Sequence, residues 1–188
     1  MKRLQDKIAV VTGGNGVLGG AIAKGFAAEG AKVGIMGRTE ATVNQKVEEI
    51  KAAGGDAFAL VADVLDREKL EACKESVLQN YGQVDILVNA AGGNVKGAVI
   101  SPEQSIFDLN IEDFDKVNHL NFKGTLLPTL VFAKEMVDQK KGSIINISSM
   151  NAFTPLTKIP GYSGAKAAIS NFTQWLSVYF SKTNIRVN

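Results

Sequence analysis

The chain has 188 residues, 45% of them hydrophobic and 21% charged, with a net charge of +2. This predicts one folded domain with its own core, not a disordered chain, and no field strong enough to imply a nucleic-acid or membrane partner. No apolar run approaches the ~18 residues that span a bilayer, the apolar stretch Ile8–Val11 is too short for a signal peptide, and a lone cysteine, Cys73, excludes an internal disulfide or a cysteine-cluster metal site.

Short β-branched runs alternate with helical patterns. Strands are predicted at Ile8–Val11, Val33–Met36, Ala57–Val61, Ile86–Val88, Ser143–Ile147 and Ile185–Val187. Most are continuous apolar runs, as expected when both faces of a sheet are covered. Helices are predicted at Leu18–Glu29, Glu40–Ala53, Arg67–Tyr81, Ile111–Lys140 and Tyr162–Ser181, with the fourth broken or kinked at Gly124 and Pro128. The repeated β-then-α order predicts an α/β fold: a Rossmann-like, doubly wound parallel sheet with helices on both faces, in one domain over residues 1–188. Two long irregular stretches, Gly92–Ile111 and Met150–Gly161, follow strands and so emerge at the carboxyl edge, where such sheets bind ligands.

Glycine is the outlier, with 19 residues, nine of them before position 38. Gly14, Gly16 and Gly19 fit G-x-G-x-x-G between the first strand and the first helix. Such a turn lets the backbone approach a pyrophosphate, and the helix end supplies free N–H groups and partial positive charge. The second strand ends in Met36-Gly37-Arg38-Thr39, without the acid that would bind a ribose 2′-hydroxyl. Arg38 offers a cation for a 2′-phosphate, which favours NADP(H), while the nearby Glu40 keeps NAD(H) open.

Tyr162 and Lys166 are four apart, which puts them on one helix face. An ammonium beside a phenol favours the phenolate, as a proton donor and acceptor working near neutral pH requires. Ser148 and Ser149 follow the fifth strand, so a hydroxyl and a phenol converge at the sheet edge, where both can bond one carbonyl oxygen.

These motifs together resemble the short-chain dehydrogenase/reductase family over essentially the whole sequence. The family's glycine pattern matches Thr12, Gly13 and Gly19, with Val17 replacing its middle glycine and Gly16 one place earlier. The resemblance implies cofactor contacts from Gly13, Asn15, Gly16, Val17, Leu18, Gly19, Arg38, Asp63, Val64, Asn89, Ala90, Ala91 and Gly92, together with Tyr162 and Lys166. It implies a catalytic set of Asn121, Ser149, Tyr162 and Lys166, with Ser149 thirteen residues before the tyrosine and Ser148 as second candidate. Tyr162 would move the proton, Ser149 would hold the substrate oxygen, Lys166 would assist the tyrosine and bond the nicotinamide ribose, and Asn121 would fix a water beside Lys166. The nicotinamide would carry the hydride.

The loop from Ser148 to Tyr162 and the stretch Asn118–Pro128 are similar to the fructuronate-reducing, D-mannonate oxidoreductase branch of the family. That branch implies a sugar-acid substrate, with a polyol or gluconate-type substrate as the alternative. Asn94, Ser149, Asn151 and Tyr162 are candidate substrate residues; Thr154, Thr157, Lys158 and Lys96 are further polar residues of the loops. The resemblance also implies a cytoplasmic homo-oligomer, dimer or tetramer, with the stripe Ile169, Phe172, Trp175, Leu176, Tyr179 and Phe180 divided between core and subunit contact. No metal site is expected, and the single histidine, His119, reads as structural. Family members continue past the strand Ile185–Val187 with a Pro-Gly motif, a substrate lid, and a further strand and helix. The sequence therefore reads as about three-quarters of a ~250-residue domain. On that reading the terminal strand and lid are missing, and the 188-residue chain binds cofactor weakly and turns over poorly. A non-catalytic dinucleotide-binding protein is the alternative of another class.

Overall fold

A computed structural model describes residues 2–154 and 156–188; Pro155, inside the second long loop, and Met1 lie outside the described residues. Six strands form one parallel sheet: β1 (Ile8–Thr12), β2 (Lys32–Gly37), β3 (Asp56–Val61), β4 (Ile86–Asn89), β5 (Gly142–Asn146) and β6 (Ile185–Val187), in the spatial order β3-β2-β1-β4-β5-β6. The order reverses between β1 and β4, whose registers pair Ala9 with Ile86 and Thr12 with Asn89. That reversal opens a crevice beyond the carboxyl ends of the two strands.

The helices are α1 (Val17–Ala28), α2 (Glu40–Ala52), α3 (Arg67–Tyr81), α4 (Ile111–Asn118), α5 (Gly124–Asp138) and α6 (Pro160–Tyr179). Ala23, Ala27, Val43, Val47 and Ile50 of α1 and α2 bury one face of the sheet with Ala9, Val11, Val33 and Ile35. On the other face, Leu70 and Val77 of α3, Phe132 and Met136 of α5, and Leu176 of α6 pack on Val10, Met36, Leu87 and Ile144. Every residue of β1 is buried, which accounts for its unbroken apolar run. At the opposite edge from the crevice, the buried Asp85 carboxylate accepts the Ile8 N–H at 2.9 Å and the Gln83 amide at 2.8 Å, fixing β1 against β4.

The long fourth helix is divided where the regular helix resumes at Gly124, one of the two expected break points, but not at the other, Pro128. Pro128 lies inside α5, and the break is a π-turn at His119–Lys123. Its physical cause is Asn121, whose side-chain amide donates to the Val117 carbonyl at 2.8 Å, the acceptor that a regular turn gives to the backbone four residues on. Helix α6 starts at Pro160, two residues before Tyr162, because proline suits a first helical position.

Candidate active site

The glycine turn closes the carboxyl end of β1. Gly13 has φ +63°, and a β-carbon there would lie 2.9 Å from Ala91 Cα. A β-carbon on Gly19 would run into the Gly13 carbonyl, so the first turn of α1 lies directly on the loop. Gly16 is the N-cap of α1, with no side-chain cap, and no acid occupies the first turn. By contrast, Asp66 caps α3 and Asn110 caps α4, and both helices carry acids in the first turn, Glu68 in α3 and Glu112 with Asp113 in α4. The start of α1 thus keeps its N–H groups and partial positive charge for an anion. Asn15 turns sideways: its amide donates to Thr42 Oγ1 at 2.9 Å and its carbonyl oxygen fills the space beside Gly37, fastening the loop to α2.

A cavity of about 450 Å³ lies over this turn. Fourteen of the sequence-predicted residues line it: Gly13, Asn15, Gly16, Val17, Leu18 and Gly19 from the turn, Arg38, Asp63 and Val64 from the ends of β2 and β3, Ala90, Ala91 and Gly92 after β4, and Tyr162 with Lys166 from α6. Val17, in place of the family's middle glycine, is 96% exposed and lines the cavity. Arg38 is largely exposed, with one guanidinium nitrogen 3.9 Å from an Asp63 oxygen; the other Asp63 oxygen accepts the Leu65 N–H at 2.9 Å. The wall also contains Gly37, Thr39, Ala62, Gly93, Leu120 and Ile147, which were not among the expected contacts. Leu120 and Ile147 adjoin residues that were recognised, Asn121 and Ser148, and that adjacency was the available signal.

Lys166 is buried, 5% exposed, and its ammonium donates to the Ile147 carbonyl at 2.7 Å. No carboxylate is paired with it among the described residues, and burial pushes its pKa down to about 8. The same nitrogen lies 5.5 Å from the centre of the Tyr162 ring. Helical spacing thus delivers the pair to one cavity wall.

Asn121, Ser149, Asn89, Asn94 and Asn151 do not line the cavity. Asn121 stands behind it, fully buried: its amide donates to the Gly93 carbonyl at 2.7 Å and its oxygen accepts the Gly93 N–H at 3.2 Å. A β-carbon on Gly92 would be 2.6 Å from that oxygen and 3.6 Å from Lys166 Nζ, so the amide and the ammonium flank one glycine. The structure separates the two serines. Ser148 Oγ is spent on α6, donating to the Lys166 carbonyl at 3.1 Å and sharing a bond with Ser170 Oγ at 2.7 Å. Ser149 Oγ accepts the Asn151 N–H at 3.2 Å, and its own hydrogen has no partner among the described residues. Asn89 is buried between β4, β5 and α5. Asn94 is exposed on its loop, and Asn151 is buried in a single 3-10 turn, Met150–Ala152. The two long loops are joined where the Ile100 N–H donates to the Lys158 carbonyl at 2.8 Å.

Comparison with known proteins gives one consistent family. The short chain dehydrogenase family matches residues 7–188. An oxidoreductase of Bacillus subtilis, UxuB, is 47% identical over the whole chain and 70% of its own length. A solved Haemophilus structure provisionally named a D-mannonate oxidoreductase, with bound NAD, superposes with a TM-score of 0.94 at 45% identity, covering 98% of this chain and 70% of that one. An NAD+-bound xylitol dehydrogenase superposes with a TM-score of 0.92 at 27% identity, over all of this chain and 70% of that one.

Proposed function

Because the chain belongs to the short-chain dehydrogenase family, we propose that it interconverts an alcohol and a carbonyl on a sugar acid of the fructuronate/D-mannonate type, using a nicotinamide dinucleotide. The observation that carries the reading is the single cavity shared by the uncapped start of α1 and by Tyr162 with Lys166. The residues present fit a dinucleotide: a tight glycine turn, a free helix end for the pyrophosphate, and Asp63 and Val64 at the far wall for the adenine. When bound, the nicotinamide supplies hydride donation and acceptance.

The protein's own residues then supply proton transfer and orientation. Tyr162 gives a proton to the substrate oxygen in reduction and takes it in oxidation. Ser149 donates its uncommitted hydroxyl hydrogen to the same oxygen and stabilises charge developing there. Lys166 presents an ammonium to Tyr162 from a buried position, so its field is weakly screened. Asn121 holds the Gly93 backbone and faces Lys166 across Gly92, a position from which it would fix a water beside Lys166 and extend a proton path.

The sugar-acid assignment is supported by the provisional name of the Haemophilus structure; the xylitol dehydrogenase keeps a polyol as the second reading. Arg38 beside Gly37 supports NADP(H), whereas the NAD in both solved structures supports NAD(H), and the Asp63 carboxylate near Arg38 offsets part of its charge. Self-association is assigned to the exposed face of α5 and α6: Leu130, Trp175, Val178 and Tyr179 are more than half exposed, and the Trp175 and Tyr179 rings stack at 5.1 Å. The deciding experiment supplies the purified protein with fructuronate and NADH or NADPH, and with xylitol or gluconate and NAD+ or NADP+. A preference of about tenfold or more in kcat/KM for fructuronate supports the assignment, and an equal or larger value for xylitol overturns it.

A further inference from the structure

We propose that Thr129, Asn146 and Thr173 are positioning residues: through Asn89 they form a hydrogen-bond relay, buried on the α5 side and half-buried at Thr173, that fixes the helix of Tyr162 and Lys166 against the π-turn of Asn121. The inference rests on the roles proposed above for those three residues.

The centre of the relay is Asn89, at the carboxyl end of β4 and 1% exposed. Its side-chain nitrogen donates in two directions, to Thr129 Oγ1 on α5 at 2.9 Å and to Asn146 Oδ1 on β5 at 2.8 Å. On the α5 side, the Thr129 hydroxyl donates to the Thr125 carbonyl at 2.8 Å, and the Thr125 hydroxyl donates to the Asn121 carbonyl at 2.9 Å. On the α6 side, the Asn146 amide donates to Thr173 Oγ1 at 2.9 Å, and the Thr173 hydroxyl donates to the Ile169 carbonyl at 2.8 Å. Ile169 is less than one turn beyond Lys166.

The polarity of the relay is fixed from its ends. Backbone carbonyls only accept, so Thr129 and Thr173 must donate outward and accept from within. Asn89 must therefore present hydrogens on both sides. Turning its amide over would set oxygen against the Thr129 oxygen, whose hydrogen is already committed. The arrangement leaves Asn89 Oδ1 buried without a partner among the described residues, an unfavourable state that a merely convenient amide orientation would not select. Ser148 adds a separate tie from the end of β5 to the Lys166 carbonyl and Ser170, but that tie stops at α6. The Asn146–Asn89 route is the one that continues to Asn121. Its geometric product is the spacing across Gly92 between Asn121 Oδ1 and Lys166 Nζ, and proton transfer is sensitive to such spacing.

The test replaces hydroxyl by methyl. Thr129→Val and Thr173→Val should each lower kcat about tenfold while the dinucleotide Kd stays within about twofold, and Thr→Ser at either position should restore kcat. A kcat per folded molecule within about twofold of the parent for both valine variants overturns the proposal. Thr129→Val strands a buried Asn89 hydrogen and can prevent folding. Thr125→Val is therefore tested beside it, since it cuts only the last link to Asn121, and the same loss of kcat at unchanged dinucleotide affinity is expected. A readout free of substrate is the urea midpoint of Thr129→Val/Thr173→Val. The double variant should lose less than the sum of the single losses, and strictly additive losses show that no continuous relay exists. If the parent turns over none of the substrates tested, the functional reading fails, and the additivity measurement decides the relay by itself.

Discussion

Asn121 and Gly93 hold one another twice, the amide donating to the glycine carbonyl at 2.7 Å and the glycine N–H returning a bond to the amide oxygen at 3.2 Å. With the third bond, to Val117, both amide hydrogens are used while the oxygen keeps one lone pair, and the side chain pins the loop after β4 to the π-turn.

Asn121→Leu removes these bonds and leaves the Gly93 N–H and two carbonyls facing an apolar group. The expected cost is about 2–4 kcal/mol in urea unfolding. A loss below about 1 kcal/mol would show that the loop finds other partners.

Lys166 gives a pH signature. Its folded pKa is about 8, below the ordinary lysine value of 10.5. Below both values the folded protein carries a penalised ammonium; between them the unfolded protein binds more protons, so stability rises with pH through that window. Relative to Lys166→Met, the parent should gain on the order of 3 kcal/mol between the two pKa values. Urea unfolding of both proteins on either side of this window measures it, and a constant difference contradicts the burial argument.

Arg38 lies at the end of β2 with a largely exposed guanidinium. Arg38→Ala should weaken NADPH binding about tenfold and NADH binding less than about twofold. Equal effects, read from fluorescence titration of each dinucleotide, remove the 2′-phosphate role.

Much of this was legible in the sequence because the signals were local or periodic. The apolar strands, the 3.6-residue patterns and the glycine turn each carry their own signal, and the six-strand parallel sheet follows from them. The four-residue spacing of Tyr162 and Lys166 likewise led to one cavity. What the sequence did not disclose depends on tertiary partners. Nothing local marks His119–Lys123 as a π-turn, since its cause is a side-chain bond to Val117 combined with a contact to Gly93, 28 residues away. Asn89 resembled a cofactor contact, yet lies below the cavity because Thr129 and Asn146 surround its amide. Ser148 and Ser149 are chemically alike, and only their tertiary partners distinguish them, the Lys166 carbonyl and Ser170 on α6 for the first and the Asn151 N–H for the second.

The proton role proposed for Tyr162 places its hydroxyl in a cavity whose lining fits a dinucleotide. Tyr162→Phe keeps the ring and deletes the hydroxyl, so steady-state turnover and dinucleotide Kd on the same protein measure that role directly. Tyr162→Phe should lower kcat about 100-fold or more, with the Kd within about threefold of the parent. Retention of kcat within about threefold, or loss of dinucleotide binding together with turnover, would contradict that role.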